Sequence, residues 1–260
     1  MAERGWVIVL GVSSGFGAAA ARAYAAAGHP ILGVHFDLRA TLPRADAVRA
    51  ELEALGVPVV FTNGNAADPA RRAEALDALR AADPDATVAV LLHSLAFGTL
   101  KPFVGDKDAR MDARSLTMTL DVMAHSLVAW TQELLDRGLL VRGSRVFAMT
   151  SSGSIVAFPS YGAVSAAKAA LESHVRQLAV ELAPAGVTVN AIMAGLCHTP
   201  ALEKIPGWEA LAATAAARNP SGRLTTPEDV AACLVALSGP GTAWMTGNVI
   251  RVDGGETITA

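Results

Sequence analysis

Three observations predict an α/β fold of the doubly wound kind, an open parallel sheet with helices on both faces. Short apolar runs alternate with longer helical patterns almost from end to end. Those runs are apolar at nearly every position rather than at alternate ones, so both faces of the sheet must be covered. The first run also ends in a glycine cluster that opens directly into a helix. Regular β–α alternation then implies right-handed crossovers and one Rossmann-like domain over residues 1–260.

The first strand is read in "WVIVLGV" and feeds an alanine-rich helix from about Ala18 to Ala27. Gly28 closes that helix, since a residue without Cβ takes positive φ freely. "PILGVHF", a helix near Ala45 to Leu55, "PVVFTNG", a helix near Pro69 to Ala82 and "ATVAVLLHS" follow. Pro69 after Asp68 suits a helix start, a capping acid followed by a residue with no amide to lose. Further strands fall at "SRVFAMTS", "VTVNAIMAG" and "NVIRVDG", with helices near Asp112–Arg137, Tyr161–Leu182 and Pro227–Ala236 between them. The longest irregular stretches, roughly Phe97–Arg110 and Ala194–Gly207, lie at the carboxyl ends of strands, where this architecture keeps its ligands, and substrate loops are expected near 97–110 and 194–220.

Composition narrows the function classes. The chain is 52% hydrophobic and 17% charged with net charge −3, so it has material for a deep core and no basic run to hold nucleic acid or an anionic membrane surface. Cys197 and Cys233 fit neither a metal motif nor a disulfide framework, so no metal is expected and a reducing cytoplasm is the simplest compartment. The amino-terminal apolar run imitates a leader peptide, but Ser13, Ser14 and three glycines interrupt it, and it reads as structure. No run approaches the length of a membrane span.

Glycines 11, 15 and 17 in "GVSSGFG" let the backbone turn tightly and approach a pyrophosphate at a helix N-terminus. Set between a strong strand and a strong helix, they favour a dinucleotide over an ordinary glycine turn. Ser13 and Ser14 add hydroxyl donors, and Phe16 belongs to the same loop. Asp37 lies about twenty residues past the glycines, where an acid holds the adenine ribose. His35 and Arg39 flank it as cations able to accept a 2′-phosphate, so the choice between NAD and NADP stays open. Asn65, with Ala66 beside it, is placed at the end of the third strand to meet adenine, although a turn asparagine has the same look.

The chemistry centres on "YGAVSAAK", Tyr161 to Lys168. Residues seven apart on a helix lie two turns apart and within about 20° of one face. A tyrosine four before the lysine would share that face one turn closer, but Val164 occupies the place and transfers no proton. Tyr24, the only other tyrosine, belongs to the first helix. His93 and His125 read as structural, and Cys197 has no arrangement to activate it.

With these residues the chain resembles the short-chain dehydrogenase/reductase superfamily, and within it the divergent enoyl-acyl carrier protein reductases, which carry Tyr-x6-Lys. "LLHSLAFG" resembles that branch after the fourth strand. "DVMAHSLVAW" resembles its next helix, with Met123 where ordinary relatives have a catalytic asparagine. "VNAIMAGLCHTPA" and "GNVIRVDGG" resemble the cofactor loop and last strand. The glycine loop is closer to the ordinary superfamily form, and Leu196 stands where a proline is usual.

The resemblance implies reduction of a trans-2-enoyl thioester, carried on acyl carrier protein or on coenzyme A, by NADH or NADPH in a homotetramer. Tyr161 would hydrogen-bond the enolate oxygen, and Lys168 the nicotinamide ribose. Ser94, Leu95 and Ala96 would line that ribose, while Ala194, Gly195, Cys197 and Thr199 would hold carboxamide and phosphates. Ser151, seventeen before Lys168, either bonds substrate or finishes a strand. Phe97, Ile205 and Trp208 are candidates for the acyl pocket. A carbonyl reductase of the same fold and a non-catalytic dinucleotide sensor are the alternatives.

Overall fold

The computed structural model describes residues 5–205 and 207–259. Its strands are β1 (Trp6–Leu10), β2 (Ile31–His35), β3 (Val59–Asn63), β4 (Val88–His93), β5 (Leu140–Thr150), β6 (Thr188–Ala194) and β7 (Val249–Val252). They form one parallel sheet in the order β3-β2-β1-β4-β5-β6-β7. Every residue of β1 is buried, as its unbroken apolar run predicts. Gly33 of β2 is needed because a Cβ there would lie 2.5 Å from the Phe61 ring.

The helices are α1 (Gly15–Ala26), α2 (Leu42–Ala54), α3 (Pro69–Ala82), α4 (Ala113–Leu120), α5 (Ser126–Asp136), α6 (Gly162–Leu182), α7 (Trp208–Arg218) and α8 (Pro227–Leu237). One apolar layer packs α1, α2 and α8 on the sheet; the other packs α3, α5 and α6 on the opposite face. Tyr24 is fully buried between α1 and α8, donating to the Leu234 carbonyl at 3.0 Å. Its phenol is structural, which leaves Tyr161 as the tyrosine available for chemistry. Among the described residues, no helix is long and apolar enough to cross a membrane.

Three expectations need correction. The helix expected over Asp112–Arg137 is two helices joined by a π turn at Asp121–His125. Regular helix rotates each residue by about 100°, and the wider turn keeps Val122, Met123 and Ala124 all buried in succession. The stretch 194–220, expected as a substrate loop with no helix assigned to it, contains α7. That helix buries only Ala215, so it shows no apolar period, and its six alanines carry it by intrinsic propensity. Finally, α6 begins at Gly162, with Tyr161 as its N-cap rather than inside it.

Candidate active site

β1 and β4 are neighbours whose following connections run to opposite sides of the sheet, and ligands of open α/β sheets sit in the crevice so formed. Here the backbones nearly touch. A Cβ on Gly11, at φ +93°, would lie 2.4 Å from the Ser94 carbonyl oxygen, and one on Gly17 would lie 2.1 Å from the Gly11 carbonyl oxygen. Gly11, Ser13, Ser14, Gly15 and Phe16 line one wall of a cavity of about 250 Å³ in this crevice. Ser94, Leu95 and Ala96 form the opposite wall; His35, Asn65 and Ala66 close one end, and Thr199 lies across from the glycines.

The residues fit a dinucleotide. Ser14 is the N-cap of α1, yet its side chain caps nothing, and the first turn holds no acid. The exposed amides there are therefore left for an anion. Asp37 lies just behind the cavity wall, its carboxylate 3.0 Å from His35 Nδ1, while Asn63 brackets its backbone through two hydrogen bonds. Burial works against its ionisation, but hydrogen bonds from Ser13, Thr41 and His35 outweigh that and hold the carboxyl below the usual aspartate range. Arg39 is exposed and lies outside the cavity wall.

A second chamber of about 200 Å³ adjoins the first, with Phe16, Ala96 and Thr199 common to both. Tyr161, Val164, Met123 and Ser151 line it on one side, and Ala194, Gly195, Leu196 and Cys197 on the other. Tyr161, Ser151 and Ile205 also line a third, larger compartment of about 420 Å³ between α7 and the segment 151–161. The phenol thus stands where two compartments meet. The residue before it, Ser160, has φ +60°, the one left-handed non-glycine among the described residues, and such strain persists where a site holds it.

Burial raises the Tyr161 phenol above its ordinary value, with Ser151 opposing, so the group is a protonated donor near neutral pH. Ser151 Oγ is buried and has no hydrogen-bond partner. Lys168, buried one layer below, donates to the Met149 carbonyl at 2.7 Å; burial lowers it to about 8 against the attraction of Glu172. His93 is the structural residue expected. Ser126 donates to the Val122 carbonyl, so His93 Nε2 must donate to Ser126 Oγ at 2.8 Å. Burial and the nearby Lys168 lower its pKa to about 3, which keeps the ring neutral. Burial also pushes the Cys197 thiol up to about 12, far from a nucleophile's range.

Most of the expected site residues come together, but two do not stand where the acyl pocket was expected. Phe97 lines the nucleotide cavity, in an edge-to-face pair with Phe36 at 6.1 Å. Trp208 stacks flat on His198 at 5.0 Å and lies outside all three compartments. Sequence reasoning missed Phe36, Lys204 and Glu256. An aromatic at the end of β2 and a cation in the 194–205 loop were visible signals for the first two. Glu256 Oε2 accepts the Leu196 amide at 2.8 Å. Leucine in place of proline brings an N–H to be satisfied there, and Glu256 satisfies it.

An NAD(P)-dependent short-chain dehydrogenase/reductase is the class that this crevice and its tyrosine define. Within that class, the sequence profile described as Enoyl-(Acyl carrier protein) reductase matches residues 11–257, and the chain belongs to that family. It is 38% identical to 1-cyclohexenylcarbonyl-CoA reductase of Streptomyces collinus over 47% of this chain and 44% of that one. To the NADH-dependent enoyl-[acyl-carrier-protein] reductase FabI of Escherichia coli it is 32% identical over 65% of this chain and 64% of that one. The chain thus aligns with less than two thirds of each of these relatives. A relative named for other chemistry, the NADPH-dependent aldehyde reductase-like protein of Arabidopsis thaliana, is 29% identical over 95% of this chain and 92% of its own. The structure superposes on the enoyl-[acyl-carrier-protein] reductase of Aquifex aeolicus with TM-score 0.85 and 26% identity, covering 99% of this chain and 98% of that one.

Proposed function

We propose that the protein reduces the carbon–carbon double bond of a trans-2-enoyl thioester. The observation that carries this reading is the pairing of Tyr161 with Val164: both line the chamber, and only the outer one bears a hydroxyl. Conjugate reduction adds hydride at the β-carbon, three bonds from the thioester oxygen that gathers charge, and a phenol set one helical turn outward suits that separation. Bound NADH supplies the hydride. The glycine loop and the first turn of α1 hold its pyrophosphate, and Lys168 holds the nicotinamide ribose. Tyr161 donates a hydrogen bond to the developing enolate oxygen, where a preorganised donor acts with little competing water, and supplies the proton that ends on the α-carbon, being reprotonated from solvent. Met123 and Val164 keep that side of the chamber apolar.

Lys168 works as an ammonium. Below about pH 8 it is protonated; above, it loses its charge, so turnover is expected to decline through that region with the slope of a single proton. A pH–rate profile at saturating cofactor checks this, and a rate still flat beyond about pH 9 would remove Lys168 from the mechanism.

NADH is the inferred cofactor, because Asp37, held ionised beside Ser13 and His35, would face a 2′-phosphate with negative charge. Asp37→Ser is expected to move the ratio of kcat/KM for NADPH over NADH upward by at least about tenfold. An unchanged ratio would show that the carboxylate does not read the ribose.

A second reading, reduction of a ketone, is favoured by Ser151, whose unpartnered hydroxyl lines the same chamber as Tyr161. The deciding experiment follows NADH and NADPH absorbance with a trans-2-enoyl thioester and, separately, a 3-ketoacyl thioester, each on coenzyme A and on acyl carrier protein. Enoyl turnover alone supports the first reading. Ketone turnover alone replaces it with the second.

A further inference from the structure

Among the described residues, Glu256 is the one acid that lines both the Tyr161 chamber and the larger compartment beyond it. It follows a turn in which Asp253 accepts the amides of Gly255 and Thr257, and Gly255 has φ +90°, so its backbone is fixed. One carboxylate oxygen, Oε2, is engaged by the Leu196 amide. The other, Oε1, has no hydrogen-bond partner among the described residues, and the half-buried side chain lines both compartments. Ile155, Val156, Phe158 and Leu211 supply apolar wall around it. A carboxylate in such surroundings is not what a plain hydrocarbon chain calls for.

Given the enoyl thioester reading, on which this assignment rests, we propose that Glu256 is a specificity residue that accepts a hydrogen bond from a hydroxyl on the acyl chain, beyond the double bond. The donor is neutral for two reasons. Arg218 and Arg251 line the same compartment and repel a cationic chain, and an ionised carboxylate has no proton to donate. A hydroxyl meets neither objection and satisfies the free oxygen. Burial raises the Glu256 pKa, with the Leu196 amide opposing, consistent with a carboxyl sheltered from bulk water.

The test compares plain trans-2-enoyl thioesters with analogues of equal length in which a hydroxyl is walked carbon by carbon along the chain. For the wild type, one hydroxyl position is expected to raise kcat/KM at least about tenfold over the plain chain, the size expected of a hydrogen bond to a charged group. Glu256→Gln still accepts the Leu196 amide but loses the charge, and should cut that preference to about threefold or less. Glu256→Leu should abolish it and favour the plain chain. Both substrates share the thioester and the cofactor, so a merely structural role for Glu256 would change both rates and leave their ratio alone. If the plain enoyl chain is reduced and no hydroxylated one exceeds it, or if Glu256→Gln keeps the wild-type ratio, the specificity assignment falls while the enoyl reading stands. If no enoyl thioester of either kind is reduced, both fall.

Discussion

Gly17→Ala is expected to weaken dinucleotide binding by about ten- to a hundredfold while leaving the protein folded. The added methyl would sit 2.1 Å from the Gly11 carbonyl oxygen and 2.9 Å from its carbon. Gly11 cannot give way freely. Its own backbone is at φ +93°, with the Ser94 carbonyl oxygen 2.4 Å from where a Cβ would be. Relief must come from moving the loop 11–17 as a unit, and that loop carries the amides proposed to meet the pyrophosphate. Overpacking of this kind costs about 1–3 kcal/mol, and each 1.4 kcal/mol passed on to the ligand is a factor of ten in affinity. Isothermal titration with NADH measures the affinity, and a urea melt without ligand measures the stability. Gly15→Ala is the useful contrast. It is strained by φ +54°, but its nearest neighbour is the Thr199 methyl at 3.4 Å, so it disturbs only its own turn. Wild-type affinity in Gly17→Ala would show that the glycine is a matter of chain flexibility rather than close approach.

The same crowding explains why the nucleotide end was legible in the sequence. Glycines at 11, 15 and 17 are required by backbone sterics, and their place between a buried strand and a helix follows from periodicity alone. The sheet was legible for a related reason, because strands buried on both faces leave apolar runs with no polar alternation. Local pattern says much less about residues brought together over long distances. Glu256 reaches the site only because Asp253 and two glycines turn the chain back after β7, and its partner, the Leu196 amide, is 60 residues away. Phe97 follows a similar logic. Its position in a long loop is readable, but its pairing with Phe36 depends on how that loop folds over the sheet. The π turn is the hardest case. Residues 121–125 have helical propensity and no breaker, and only the burial of three consecutive side chains demands the wider turn. The helix α7 lies between these extremes. Its alanines announce a helix, while its lack of an apolar stripe conceals it from a reading based on periodicity.

Tyr161→Phe is expected to lower kcat by about a hundred- to ten thousandfold and to leave NADH binding unchanged. The substitution keeps the ring, and with it the edge-to-face contact to Phe158 at 5.9 Å, and removes only the hydroxyl. Ser151 is the one side chain that bears on that hydroxyl among the described residues, so folding has little to lose. Stopped-flow measurement of cofactor oxidation, with NADH affinity determined in parallel, separates loss of chemistry from loss of binding. A variant that retains more than about a tenth of the wild-type rate would mean that some other group stabilises the oxygen, and Ser151 would be the one to replace next. The companion experiment moves the phenol inward by combining Tyr161→Phe with Val164→Tyr, which recreates a tyrosine four before the lysine. The structure argues against a simple gain of ketone reduction. Val164 is buried, and even a Cβ at Gly98 would lie 3.1 Å from it, with Thr119 and Met123 at 2.8 and 3.0 Å from the same point. A phenol ring at 164 has to displace that wall, at about 1–3 kcal/mol or more. The outward tyrosine is therefore a property of the whole chamber: Gly98, Met123 and Val164 fill the space that an inner phenol would need. Ketone reduction should appear in the double variant only when Met123 is also made smaller. If the double variant reduces ketones without that change, the wall is softer than its packing implies, and the tyrosine position alone sets the reaction.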